Sequence, residues 1–162
     1  MKTSLLLALA LAAAALAAPA AAQNVTGRDP QEVRALFDRW GFAPTALEIN
    51  GEVPMFDVTI DGIGAVAALG GCTAGRNCTY LVVNAIYSDV PNPPLEWLNA
   101  QNKEFDLITA SSNDGGLLSL RMAVMLGGDG VPESTLRVAI GDWTMANSEI
   151  AQRAIQAGLA RQ

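Results

Sequence analysis

Histidine is absent from this chain of 162 residues, and cysteine occurs only twice, at Cys72 and Cys78. Without histidine the ordinary Ser-His-Asp and Cys-His nucleophile systems cannot be assembled, and the usual nitrogen ligand of zinc is missing. Ten lysine and arginine residues stand against sixteen aspartate and glutamate residues, so no basic stripe is available to neutralise phosphates, and nucleic-acid binding is disfavoured. From these absences we expect a protein that is not an enzyme and that holds no metal or cofactor.

Long apolar runs are also missing, except at the N-terminus. Lys2, the apolar stretch from Leu5 to Ala17 and the small residues before Gln23 match the three parts of a secretory signal peptide. We therefore predict a signal peptide at residues 1–22, a mature chain with a net charge of −7, and a periplasmic or secreted protein without stable membrane insertion. The alternative is an uncleaved membrane anchor, although the apolar stretch is short of the roughly 20 residues that span a bilayer with ease.

The two cysteines are separated by five residues and lie between runs typical of β-strands. In an oxidising compartment such a pair is expected to form a disulfide, here Cys72–Cys78. A redox-active pair is the alternative, but the spacing is not the Cys-x-x-Cys of that chemistry.

The first structural element is a helix that opens at Asp29 as cap with Pro30 in the first turn. Val33, Leu36 and Phe37 fall on one face, which predicts that this helix covers a sheet. We assign residues 23–29 to an N-terminal tail and residues 30–158 to one domain.

Turn-forming pairs divide the next region into strands, with Asn50-Gly51 and Asp61-Gly62 at hairpin turns. The stretches Ile63–Leu69 and Tyr80–Tyr87 carry apolar or small residues on both faces. This pattern indicates either central strands or a sheet whose second face is also covered. A second helix from Leu95 to about Phe105, a further hairpin across residues 113–116 and a long last helix after Pro132 complete an α+β domain in which three helices pack on an antiparallel sheet.

Two groups of residues are candidates for function. Trp97 and Trp143, with Asn99, Asn102 and Asn147, combine apolar area with hydrogen-bonding groups and predict a surface that grips a protein partner; the alternative is that the tryptophans belong to the core and the asparagines cap helices or face water. Three carboxylates, Glu48, Asp57 and Asp142, could converge in space, but their sequence spacing gives no reason to pair them.

The order of these pieces resembles the YbjN-like family of proposed bacterial sensory transduction regulators, across roughly residues 30 to 150. The resemblance rests on the segment from Val33 to Phe42, on the Cys72–Cys78 loop that runs into residues 79–83, and on the Trp97 and Trp143 helices. It implies a fold like that of type III secretion chaperones, an antiparallel sheet with helices packed on it, and leaves the molecular activity undefined. The second helix departs from the family pattern, with Ala100 and Glu104 at places where Asn and Arg are usual.

Two hypotheses about function follow. The first is an exported, non-enzymatic protein with a protein-binding, chaperone-like or regulatory role in the bacterial envelope, whose partner is another protein or a second copy of itself. The second is a periplasmic small-ligand receptor or a carboxylate-dependent hydrolase.

Overall fold

The computed structural model describes residues 24–161, so the predicted signal peptide at residues 1–22 lies outside the described residues. The chain begins with β1 (Asn24–Val25) and α1 (Pro30–Arg39). The main sheet is built from β2 (Glu48–Asn50), β3 (Val53–Ile60), β4 (Ile63–Gly70), β5 (Tyr80–Pro91), β6 (Thr109–Ser112) and β7 (Leu117–Met125). The helix α2 (Leu95–Glu104) connects β5 to β6, and β8 (Val131–Pro132) precedes the last helix, α3 (Glu133–Gln156).

The six strands of the main sheet are all antiparallel and run in the order β2-β3-β4-β5-β7-β6. This arrangement confirms the predicted α+β class, with three helices packed on a six-stranded antiparallel sheet. Of the two alternatives for β4 and β5, the structure takes the first, because both are central strands. No helix within residues 24–161 is long and apolar enough to cross a membrane.

Local sequence explains two of these elements directly. The hairpin between β3 and β4 turns on Asp61 and Gly62, with φ angles of 49° and 87°, because a two-residue hairpin turn of this kind requires positive φ at both central positions. At the start of α1, the Asp29 carboxylate accepts a hydrogen bond from the Gln31 amide at 3.0 Å, which satisfies one of the unpaired donors of the first turn.

The core lies between one face of the sheet and the helices. Phe56, Val58 and Ile60 of β3 point inward, as their alternation predicts, and the Phe37 ring of α1 packs on Phe56 with centroids 5.3 Å apart. Within α2, Leu95 is 72% exposed. It occupies the first turn of the helix, and Leu98 is the leucine that enters the core.

The N-terminal segment does not behave as a tail. β1 pairs with β8, and the amides of Asn77 and Cys78 donate to the carbonyls of Arg28 and Gly27 at 3.2 and 2.7 Å. A Cβ placed on Gly27 would lie 1.9 Å from the Cys78 carbonyl oxygen, so only glycine permits this approach. We refer to residues 24–28 as the strap, because they bind the cysteine loop to β8.

Cys72 and Cys78 form a disulfide in the structure, and Cys78 is buried. Closing a ring of this length is expected to stabilise the fold by about 2 kcal/mol through the entropy of the unfolded chain. We predict that Cys72→Ser lowers the melting temperature of the purified chain by about 5–10 °C, measured by circular dichroism. Reducing agent should produce a similar shift in the unmodified chain and none in the Cys72→Ser/Cys78→Ser double variant. If reducing agent did not change the melting temperature of the unmodified chain, the disulfide would not be stabilising.

Candidate binding surface

The five residues predicted to form a partner surface do not lie together. Trp143 and Asn147 are fully buried on α3, so these two cannot contribute to a surface. The Asn147 side chain donates to the Trp143 carbonyl at 2.8 Å and accepts from the Tyr87 hydroxyl at 3.4 Å. Because these hydrogen bonds satisfy its polar groups, the Asn147 side chain can be buried in the apolar stripe of α3. Burial, with a smaller contribution from Asp89, raises the pKa of the Tyr87 hydroxyl above its ordinary value.

The other three residues lie on α2. Trp97 is half-buried against the core, and Asn99 is exposed. The Asn102 side chain makes two hydrogen bonds to the backbone of Ala110, donating to its carbonyl at 2.9 Å and accepting from its amide at 2.7 Å. The Asn102 side chain therefore takes the place of a neighbouring strand at Ala110. Without it, the amide and carbonyl of Ala110 at the outer edge of β6 would be free to pair with another chain.

An ion-pair network joins α2 to α3 on the same side of the molecule. Arg153 binds the carboxylates of Glu104 and Glu149 and lies over the Phe105 ring, 5.2 Å from its centroid. Hydrogen bonding to Arg153 lowers the pKa of Glu104. A lowered carboxyl pKa adds stability above its unfolded value, and that contribution is lost as the pH falls through the folded pKa. Because both glutamates are exposed, we take the network to orient the helices and not to be a major source of stability.

Two of the three candidate carboxylates share one face of the sheet, because Glu48 pairs with Met55 and so lies diagonally across from Asp57 on the neighbouring strand; the third lies elsewhere. Asp57 points outward from β3, Glu48 lies on the edge strand β2, and Asp142 lies on α3 beyond the opposite face of the sheet. Among residues 24–161 there is no group of three or more aspartate, glutamate or cysteine side chains that could hold a metal ion. Because Asp142 lies on the helical side, the three candidate carboxylates do not form one site.

The surface that stands out is the side of the sheet opposite the helices. We call it the open face and define it by the outward side chains of β3, β4, β5 and β7. In the described part of the chain no helix covers it, and Ile86, Tyr80 and Met125 are 49%, 37% and 66% exposed there. A solvated face of an antiparallel sheet usually carries polar residues, so the exposed apolar side chains on this face indicate a binding surface.

The open face is organised in cross-strand rows. One row holds Asp57, Val66, Asn84 and Arg121, and a neighbouring row holds Met55, Ala68, Val82 and Ala123. Three of the four members of the first row are polar, and the Asn84 side chain accepts a hydrogen bond from the Ser119 hydroxyl at 2.7 Å. The second row is entirely apolar.

Asp57 and Arg121 are the charged side chains of these two rows, and they lie on opposite sides of the face. Three strand spacings of about 4.8 Å place them about 14 Å apart, and neither forms an ion pair with a residue in the range 24–161. A face of this size with one separated charge of each sign is well suited to a partner that carries the complementary pair.

A cavity of about 380 Å³ occupies one corner of the open face. It lies between the segment around Thr45 and the strands, and its lining includes Asp57, Asn84, Val66 and Ile86. The Thr45 hydroxyl accepts from the Asp57 amide at 2.9 Å, and the Thr45 amide donates to the Asp57 carbonyl at 2.9 Å. These bonds fix the wall of the cavity beside the Asp57 carboxylate.

Sequence reasoning missed this surface, although part of its signal was present. The outward residues of β4 are Gly64, Val66 and Ala68, which are small or apolar where a solvated strand usually carries polar groups. The same pattern was equally compatible with a second covering layer, and only the tertiary structure distinguishes a covered face from an open one.

Solved structures resemble this fold. A protein from Methanothermobacter thermautotrophicus described as uncharacterised matches with a TM-score of 0.51 at 12% sequence identity, covering 80% of this chain and 98% of that one. YbjN, a proposed transcription regulator from E. coli, matches with a TM-score of 0.54 at 16% identity, covering 82% of this chain and 95% of that one. No family model matches the sequence, and no curated protein matches it. The chain therefore has a YbjN-like fold, as its motifs predicted.

Proposed function

We propose that this protein is an exported, non-enzymatic binding protein of the bacterial envelope, with a chaperone-like or regulatory role, that engages a protein partner through the open face. The observation that carries the proposal is the uncovered apolar row Met55, Ala68, Val82 and Ala123 at the centre of the sheet. Burying such a row removes apolar surface from water, which favours association.

Three further observations support this role. The signal-like N-terminus favours export, Asp142 lies apart from the other two carboxylates considered as catalytic candidates, and the fold is shared with a protein described as a proposed transcription regulator. The last point concerns fold alone, since the identity is 16%.

Site-specific photo-cross-linking in the producing bacterium tests the proposal. A photoreactive amino acid at position 86, on the open face, should give a discrete covalent product with a protein, and the same amino acid at position 138 should not. Val138 is a matched control because it is an exposed apolar residue on α3, on the helical side of the molecule. A Val82→Glu substitution should abolish the product at position 86. Equal labelling at positions 86 and 138, or none at either, would remove the support for a protein-binding face.

The cavity favours a second candidate, a small-ligand receptor for a cationic molecule, because the Asp57 carboxylate is beside an amide and a hydroxyl in its lining. The hydrolase form of this hypothesis has less support, since neither Glu48 nor Asp142 lines the same cavity. Calorimetric titration with spermidine separates the two candidates. Saturable binding that is lost in Asp57→Asn would favour the receptor.

A further inference from the structure

We infer that the partner of the open face is a second copy of this chain, in a face-to-face dimer with a twofold axis that runs along the strands between β4 and β5. The inference rests on the proposed function, because it names the occupant of the same surface. It is drawn from the placement of charge and side-chain size about the centre of the sheet.

The charges are disposed symmetrically about this axis. In the row Asp57, Val66, Asn84 and Arg121, the midpoint lies between Val66 on β4 and Asn84 on β5. Asp57 is therefore one and a half strand spacings to one side of the midpoint, and Arg121 is the same distance to the other. A twofold rotation about an axis parallel to the strands places β3 of one copy over β7 of the other, so that Asp57 of each copy faces Arg121 of the other.

The alternative twofold axis, across the strands and through the same row, is disfavoured by the same charges. That axis places each strand over its own counterpart, so Asp57 meets Asp57 and Arg121 meets Arg121. Like charges placed against each other at an interface cost several kcal/mol. The charge pattern thus selects one of the two simple ways of stacking the sheet on itself.

Side-chain size agrees with the selected axis. In the neighbouring row the same rotation places Met55 over Ala123 and Val82 over Ala68. Each large apolar side chain then meets a small one, which is how facing layers interdigitate without voids. The expected angle between the strands of two sheets packed in this way is about 30°.

The cavity provides room for the ion pair. It lies beside Asp57 and is bounded by Asn84, so the guanidinium of Arg121 from the second copy can enter it and reach the carboxylate. Arginine is suited to this role because its planar group makes two parallel hydrogen bonds to a carboxylate. Both pairs form at once in a twofold dimer, since the interface is made of the same patch on each copy.

The size of the face sets the expected strength. The four strands of the open face, spaced about 4.8 Å apart and with about eight residues of about 3.3 Å each, present about 500 Å² on each copy. Stable protein interfaces bury about 800 Å² on each partner. We therefore expect a dimer that dissociates on dilution in the micromolar range, and not a permanent one.

Sedimentation velocity of the oxidised mature chain across a concentration series tests the inference. The unmodified chain should show a monomer–dimer equilibrium, and Asp57→Arg and Arg121→Asp should each weaken it by at least about tenfold. The double variant Asp57→Arg/Arg121→Asp should restore dimer formation. A mixture of the two single variants should form a heterodimer, because one then carries two positive and the other two negative charges at the contact positions. Asp142→Arg, which reverses an exposed charge on α3, is the matched control and should leave the equilibrium unchanged.

The results separate this inference from the proposed function. A chain that stays monomeric at all concentrations would overturn the twofold arrangement. So would a monomer–dimer equilibrium that neither Asp57→Arg nor Arg121→Asp weakens. If the cross-link at position 86 then joins the chain to a different protein, the open face is a binding surface whose occupant is not a second copy. If no protein cross-links there, the proposed function fails as well.

Discussion

Replacing Phe37 with alanine should lower the free energy of unfolding by about 3–5 kcal/mol. Phe37 is completely buried at the centre of an aromatic cluster, with ring centroids 5.6 Å from Trp40, 6.0 Å from Phe42 and 5.3 Å from Phe56. The substitution removes a large apolar side chain and leaves a cavity that the sheet and helix cannot close fully. Because domains of this size are stable by only about 5–15 kcal/mol, a substantial part of the total should be lost.

Urea denaturation followed by fluorescence measures this loss. Phe37→Leu, which retains most of the volume, should cost markedly less than Phe37→Ala. Ile155→Ala, at a residue that is 64% exposed on α3, should change the midpoint little. A Phe37→Ala midpoint close to that of Ile155→Ala would show that the aromatic cluster does not hold α1 on the sheet.

Replacing Gly27 with alanine should release the strap from the cysteine loop. The new Cβ would lie 1.9 Å from the Cys78 carbonyl oxygen and 3.1 Å from the Cys78 Cα, so the backbone of one segment must move. Movement breaks the two hydrogen bonds from Asn77 and Cys78 to the strap, each worth about 1 kcal/mol, and adds a steric cost of about 1–3 kcal/mol. The expected loss of stability is therefore about 3–5 kcal/mol, concentrated at one end of the sheet.

Hydrogen exchange locates the effect. The amides of Asn77 and Cys78 should lose protection in Gly27→Ala, whereas the amides of β4 and β5 should keep it until the whole domain unfolds. Gly141→Ala is a suitable control, because Gly141 lies in the exposed face of α3 and a Cβ added there would have no atom within 4 Å; this change should stabilise the helix by about 0.5–1 kcal/mol. Protected Asn77 and Cys78 amides in Gly27→Ala would mean that the loop accommodates the methyl group without releasing the strap.

The parts of the fold that the sequence predicts well are those determined by neighbouring residues. Asp61 and Gly62 supply the backbone angles of one hairpin, Asp29 supplies the cap of α1, and alternation along β3 assigns its inward face. Each of these features depends on interactions within a few positions of the chain. Local signals of this kind were enough to predict the α+β class.

The features that the sequence did not predict depend on distant contacts. The polarity of Asn147 predicts a surface residue. Its side-chain amide instead donates to the carbonyl of Trp143 one turn earlier, and the residue is buried in the core. Asn102 is bound to Ala110 on another element. Gly27 has no local reason to be glycine, because its constraint is the carbonyl of Cys78. The open face is of the same kind, since exposure is a property of what the other elements leave uncovered.

The pairing of β1 with β8 bears on the order in which the chain can fold. The Asn24 side chain donates to the carbonyl of Asp129, 105 positions later in the sequence, and contacts of such long separation form slowly because a large loop must close first. A chain that emerges from a ribosome or a translocation pore with its N-terminus in front must therefore carry β1 unpaired until nearly all of the remaining residues have followed. Among the described strands, the first to appear is therefore the last to gain its partner.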